Sequence, residues 1–124
     1  MKAGREHRVP LSSDALALLK TLLDASSGEF VFPGQNEDKP ISNMAMLLVL
    51  KRMGHNDLTA HGLRSTFKDW ARETAHYPNE VSEAALAHVI GDQTEAAYAR
   101  GDLFNKRAEL MQDWADYLAG REVA

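Results

Sequence analysis

Apolar residues recur at helical spacing along most of the chain. Leu16, Leu19, Leu22 and Leu23 form the first stripe, which predicts a helix over 14–25. Ser12 or Ser13 is placed to cap it, and Asp14 suits its positive end. Ahead of it, Arg8, Val9, Pro10 and Leu11 read as extended chain where a strand ends, since proline disfavours helix at the residue before it. After Gly28, the run Phe30, Val31 and Phe32 predicts a short extended segment entering a turn at Pro33 and Gly34, and 35–39 continue as a loop. Ser42 is expected to cap a second helix that runs through Met53 and closes at Gly54. That helix is apolar almost all round, a pattern that predicts a central, buried position.

The second half continues in helices. A third is expected over 61–75, with Leu63, Phe67, Trp70, Ala71 and Thr74 on one side and His61, Arg64 and Lys68 sharing another. Pro78 interrupts, and Asn79 can cap a fourth helix through about Val89, ended by Gly91. A helical turn over 95–99 carries Tyr98, Gly101 breaks again, and a last helix is expected over 102–119 with Leu103, Leu110, Met111, Trp114 and Leu118 on one stripe. The fold class is therefore mainly α, about six helical segments with a small extended element near the amino terminus.

Composition narrows the function classes. With 124 residues, 44% hydrophobic and 26% charged, the chain fits one ordinary domain. There are no cysteines, which excludes disulfides, thiolate zinc sites and a thiol nucleophile and is compatible with a reducing compartment. The longest apolar run, 44–50, is far short of the ~20 residues that cross a bilayer, and no secretory signal opens the chain, so a soluble, cytoplasmic protein with no membrane partner is expected. A formal charge of −4 argues against binding nucleic acid through bulk charge. The charge is uneven, however. Residues 1–72 hold ten Lys and Arg against eight Asp and Glu, whereas 73–124 hold four against ten. Contact with a polyanion needs local charge, and the cationic half can supply it.

Chemistry concentrates in few residues. On a helix His61 and Arg64 stand three apart and point the same way, offering a donor and a fixed cation to one point. Such a pair can hold a phosphate, because the guanidinium fork gives two parallel hydrogen bonds to its oxygens and keeps its proton. Taken singly, Arg64 could equally be a surface ion pair, His61 a capping or packing histidine, His88 a core histidine and Tyr98 a core aromatic. Their joint spacing is more informative: Tyr98 lies ten residues after His88, across a glycine turn and behind a His-x-x-Arg helix.

With that spacing the chain resembles the carboxy-terminal catalytic domain of the tyrosine recombinases, the phage-type integrases of prophages and genomic islands. The resemblance runs from the segment Met1 to Ser12, through His61-Gly62-Leu63-Arg64, to Tyr98 and the trailing Trp114-Ala115-Asp116-Tyr117-Leu118, and so covers essentially the whole chain. It implies that Tyr98 is the nucleophile toward a scissile DNA phosphate, that Arg64 and His61 hold the non-bridging oxygens, and that His88 either supplies a further donor to that phosphate or assists the tyrosine proton. Lys2, at the turn of a β-hairpin, would protonate the leaving 5′-oxygen. Neither a cofactor nor a metal is implied, and the partners would be double-stranded attachment-site DNA and three further copies in a homotetramer. Lys68, Arg100 and Arg107 are candidates for contact with the DNA backbone, against the alternative of a solvated helix face; Arg100 and Arg107 could also anchor the Tyr98 turn through Asp92 or Asp102. His55 and His76 read as surface residues, and Trp114, Tyr117 and Leu118 as core or a docking face.

The resemblance also implies missing parts. Family members carry a further arginine upstream of the hairpin and amino-terminal DNA-binding domains, so the chain is expected to be a partial catalytic domain. Alone it should be monomeric, with Lys2 disordered and no cleavage activity. Two other classes compete. A non-enzymatic helical module could use 61–75 for DNA recognition or for interaction with a protein. A metal hydrolase could use His61, His88 and Asp69 or Glu73, although no His-Glu-x-x-His spacing supports it.

Overall fold

The computed structural model describes residues 6–36, 38–88 and 103–122. Within them lie five helices: α1 Ser13–Ala25, α2 Ala45–Arg52, α3 Gly62–Glu73, α4 Asn79–Ala85 and α5 Phe104–Leu118. The mainly α reading of the sequence holds. No strand accompanies 8–11 among the described residues; the β pairing there is an isolated antiparallel bridge between Pro33 and Pro40. It closes the turn after Phe32, with Ile41 N–H donating to the Phe32 carbonyl at 3.1 Å and Gly34 N–H to that of Lys39 at 2.8 Å. A β-carbon at Gly34 would stand 2.8 Å from the Pro40 carbonyl oxygen, so this close approach of two backbones requires glycine.

The core lies in the second half. Phe67, Trp70 and Ala71 of α3, Val81 of α4 and Leu110 of α5 are buried together, and Tyr77, Leu86, Leu103, Met111 and Trp114 close around them. The Trp70 and Trp114 ring centroids are 4.9 Å apart, and Phe67 meets Trp114 edge-on at 5.5 Å. Tyr117 extends the stack, its ring 5.8 Å from Trp114 and 5.7 Å from Trp70. This cluster fixes α3, which carries Arg64 and has His61 at its cap, against α4, which leads to His88. Arg107 is also buried, at 1% exposure, and donates to the Arg8 carbonyl at 2.7 Å while lying over the Phe104 ring, so α5 holds the amino-terminal segment. Asp92 and Asp102, its expected partners, fall outside the described residues.

The first half departs from expectation. The second helix is not central: α2 buries no residue, and Met46 and Met53 are 60% and 63% exposed. The reason is that no other described helix packs on it. Its neighbours are the turn residues Pro33, Gly34 and Pro40 with Ile41, which share with it an open groove of about 690 Å³. Ser42 does not cap it through its side chain; its carbonyl accepts from Ala45 N–H in a turn leading to Met44. For α1, by contrast, Ser12 caps as expected, its hydroxyl accepting from Ala15 N–H at 3.1 Å. Yet α1 too buries none of its residues.

Helix ends are set by backbone reversals. Gly54 closes α2 and Gly120 closes α5, both with positive φ. The fourth helix stops at Ala85, four residues short of the expected Val89, and Gly91 does not end it. Ala87 turns the chain instead, with φ of 58°, as Ala87 N–H donates to the Ala84 carbonyl and His88 N–H to that of Glu83. This pair of bonds is the Schellman closure, here with alanine in the left-handed position glycine usually takes. No described helix is long and apolar enough to cross a membrane.

Candidate active site

Four of the expected site residues, His61, Arg64, Lys68 and His88, line one cavity. The loop before α3 brings Thr59 to its start, where the Thr59 hydroxyl accepts from Gly62 N–H at 3.0 Å. His61 occupies the cap position but makes no capping bond with its side chain, so its imidazole is not committed to the helix end. Arg64 follows one turn on. His61, Arg64 and His88 then border a cavity of about 180 Å³ together with Ser65, Lys68, Asp69 and Leu86.

Their polar atoms are held by a continuous network. The Arg64 guanidinium donates through Nη2 to the Leu86 carbonyl at 2.6 Å and lies 3.1 Å from His88 Nε2. His88 Nδ1 is 2.5 Å from Glu83 Oε2. The other Glu83 oxygen faces Lys68 Nζ at 2.7 Å, and Lys68 also reaches Asn79 Oδ1 at 2.6 Å and Ser82 Oγ at 2.7 Å. Lys68 is therefore turned onto α4, with its donors directed to Glu83, Asn79 and Ser82. Its ammonium holds the Glu83 carboxyl below the usual carboxylate range; partial burial opposes this, and His88 reinforces it. The carboxylate thus stays ionised between two basic groups.

Glu83 is the site residue that sequence reasoning missed. Five residues before His88, it is at no helical spacing that would pair them. The two meet because Ala87 reverses the chain, and an alanine does not advertise a left-handed turn. Lys2, Tyr98 and Arg100 lie outside the described residues, as does the helical turn expected over 95–99. Asp69 and Glu73, the acids of the metal-hydrolase reading, both face Arg72, and no three potential metal ligands gather among the described residues.

An anion fits this arrangement. Arg64, His61 and His88 border the recess with Lys68; Asp69 also lines it, and Glu83, paired with Lys68, stands behind His88. Comparison with known proteins gives the same direction. The model of the phage integrase family matches residues 1–102, a span that includes every member of this constellation. Prophage integrase IntA of Escherichia coli K12 is 41% identical over 119 residues, covering 94% of this chain and 29% of that protein. The integrase of Shigella phage Sf6 is 38% identical over 122 residues, covering 95% and 31%, and prophage integrase IntZ of Escherichia coli K12 is 41% identical over 122 residues, covering 94% and 29%. The chain therefore spans about three-tenths of the length of these curated relatives. No solved structure matches it. The family model matches well over half of these 124 residues, and the chain belongs to the phage integrase family.

Proposed function

We propose that this chain forms the reaction centre of a recombinase that cuts and rejoins DNA at specific sites, acting as part of a longer integrase. The tyrosine oxygen of Tyr98 gives up its proton to His88 or to water and attacks the scissile phosphorus, the bond from phosphorus to the 5′-oxygen breaks, and a 3′-phosphotyrosyl ester forms. Arg64, His61 and His88 hold the non-bridging oxygens as negative charge builds on them. Lys2 gives a proton to the departing 5′-oxygen, leaving a free hydroxyl. The ester keeps the energy of the broken phosphodiester, so rejoining is the same exchange in reverse and needs no cofactor. The whole integrase works as a homotetramer on two duplexes in the cytoplasm, and the 124-residue chain alone does not cleave.

The observation that carries this reading is the convergence of His61, Arg64 and His88 on one cavity of about 180 Å³, from positions 27 residues apart in the chain. A plain DNA-binding or protein-interaction module has no need of that convergence. The test is a Tyr98→Phe substitution in the longer integrase, assayed on a nicked attachment-site duplex by denaturing gel. The covalent adduct should vanish while duplex binding persists. An adduct that survives the substitution overturns the reading, and so does an adduct formed by the 124-residue chain for the part that concerns the isolated chain.

A further inference from the structure

The Glu83 carboxylate does more than neutralise Lys68. We propose that Glu83 is a positioning residue for His88: it fixes the ring's tautomer and provides the counter-charge that lets His88 gain a proton when an oxyanion enters the cavity. This inference rests on the anion-holding role given to His88 above.

The argument follows from donor and acceptor capacity. A carboxylate only accepts, so His88 Nδ1, 2.5 Å from Glu83 Oε2, carries the hydrogen. A guanidinium only donates, so His88 Nε2, 3.1 Å from Arg64 Nη2, presents its lone pair. In this arrangement Nδ1 is the donor toward Glu83, and the Nε2 lone pair faces Arg64. An oxyanion also only accepts. To hold one, Nε2 must take a proton from solvent, and Arg64 must turn its donor from the ring to the anion. The ring then carries both protons and a positive charge next to Glu83, and it returns the Nε2 proton to solvent when the anion leaves.

The surroundings favour this exchange. From α4 the ring faces Glu83; from α3 it faces Arg64, while Lys68, His61 and Asp69 border the same cavity. The fixed cations Arg64 and Lys68 would repel a cationic ring, and Glu83, tied to Lys68, which is itself anchored on Asn79 and Ser82, is the carboxylate in direct contact with it. The carboxylate cannot swing away without breaking its bond to Lys68. The reversal at Ala87 in turn brings His88 back beside the carboxylate.

The test is imidazole nitrogen NMR on the 124-residue chain near neutral pH, with sulfate as the probe because it does not itself titrate there. His55 and His76, both exposed, serve as internal references. Without sulfate, His88 should show a protonated Nδ1 and a bare Nε2, and sulfate should add the Nε2 proton. Glu83→Gln keeps an acceptor but removes the charge, so sulfate should bind about tenfold more weakly, the loss of one charge-assisted contact. Glu83→Ala should also abolish the Nδ1 preference. Sulfate binding to the unsubstituted chain without proton gain at Nε2 overturns the inference whether or not either variant folds. So does an unchanged tautomer in Glu83→Ala. In the longer integrase, Glu83→Gln should depress cleavage and shift its pH profile; a profile like that of the parent would overturn the functional role while leaving the Tyr98 reading intact. If Tyr98→Phe still forms adduct, that reading fails independently of the His88 spectra.

Discussion

Arg121, just past the end of α5, grips Asp14 in the first turn of α1 through both terminal nitrogens, at 2.6 Å and 3.1 Å. Its Nε also reaches Asp116 at 2.9 Å, so one guanidinium joins the two ends of the described chain. Because α1 buries none of its residues, this contact and the bond from Ser13 N–H to Gln112 at 2.8 Å are principal ties between α1 and α5.

That tie should respond to acid. Arg121 holds the Asp14 carboxyl below its ordinary value of 3.8. A lowered carboxyl contributes stability that is complete above the unfolded value and is lost as pH falls through the lower folded one. Asp14→Asn should therefore melt earlier than the parent chain at neutral pH, and the gap should close as pH falls below about 3.8. The pair is exposed, so molar salt should shrink the effect at neutral pH. Thermal unfolding by circular dichroism across pH and salt measures both trends. A gap that persists unchanged in acid would show that the charge pair is not its source.

The aromatic cluster should carry far more. Trp70 is 5% exposed and contacts Phe67, Trp114 and Tyr117. Trp70→Ala should cost about 3–5 kcal/mol, the usual range for emptying a large aromatic site. With net stabilities of about 5–15 kcal/mol, that loss would leave the chain marginally folded or unfolded. Urea unfolding would read it, and Trp70→Phe should recover much of the stability. A cost below about 1 kcal/mol would mean that these rings do not form the core.

How far the sequence disclosed this follows from the range of each interaction. Ser12 and the Leu stripe announced α1 because cap and periodicity are local. Phe67, Trp70 and Ala71 stood on one side of the third helix and became the core for the same reason. The pairing of His61 with Arg64 was legible as three-residue helical spacing. Their meeting with His88 was not, since it depends on the packing of α4 on α3 and on the reversal at Ala87; only the resemblance to a family joined them. The burial expected of α2 failed on another ground. An all-round apolar helix states a need for cover, and the sequence pattern does not say whether a neighbour meets it.

Ala87 invites a direct test. An L-residue in the left-handed region costs roughly 1 kcal/mol that glycine does not incur. Ala87→Gly should therefore stabilise the chain by up to about 1 kcal/mol while preserving the Schellman closure and the His88 to Glu83 contact. Ala87→Val should destabilise it, since a branched side chain suits that conformation still less. Chemical denaturation of the two variants decides the matter. Equal stability of Gly and Val would show that position 87 does not adopt positive φ.

At the far side of the core, the Tyr77 hydroxyl donates to Asp113 at 2.5 Å. Burial raises the Tyr77 phenol above its ordinary value of 10.0, and the Asp113 carboxylate raises it further, so the group stays protonated through ordinary alkaline conditions. A raised acid contributes stability that is full below the unfolded value and is lost as pH rises toward the folded one. Tyr77→Phe should cost about 1 kcal/mol at neutral pH, allowing for solvent screening of the partly exposed pair. Ultraviolet titration gives the sharper readout. The tyrosinate absorbance gained near pH 10 should be the same with and without Tyr77, because Tyr77 does not contribute there. A smaller rise in the variant would refute the shift.

The exposed face of α2 makes the last prediction. Met46 is 60% exposed and no described helix covers it, so Met46→Lys removes apolar surface from water without opening a cavity. The substitution should change stability by no more than about 0.5 kcal/mol, as surface replacements do. It should also reduce binding of an apolar dye and raise the concentration at which the chain stays dispersed, because Met46, Leu48, Val49 and Met53 together leave a large apolar area in water. If α2 were the buried centre that its composition suggests, the same change would place a charge in the core and cost several kcal/mol. Urea unfolding alongside dye titration separates the two arrangements, and a loss of more than about 2 kcal/mol would favour the buried one.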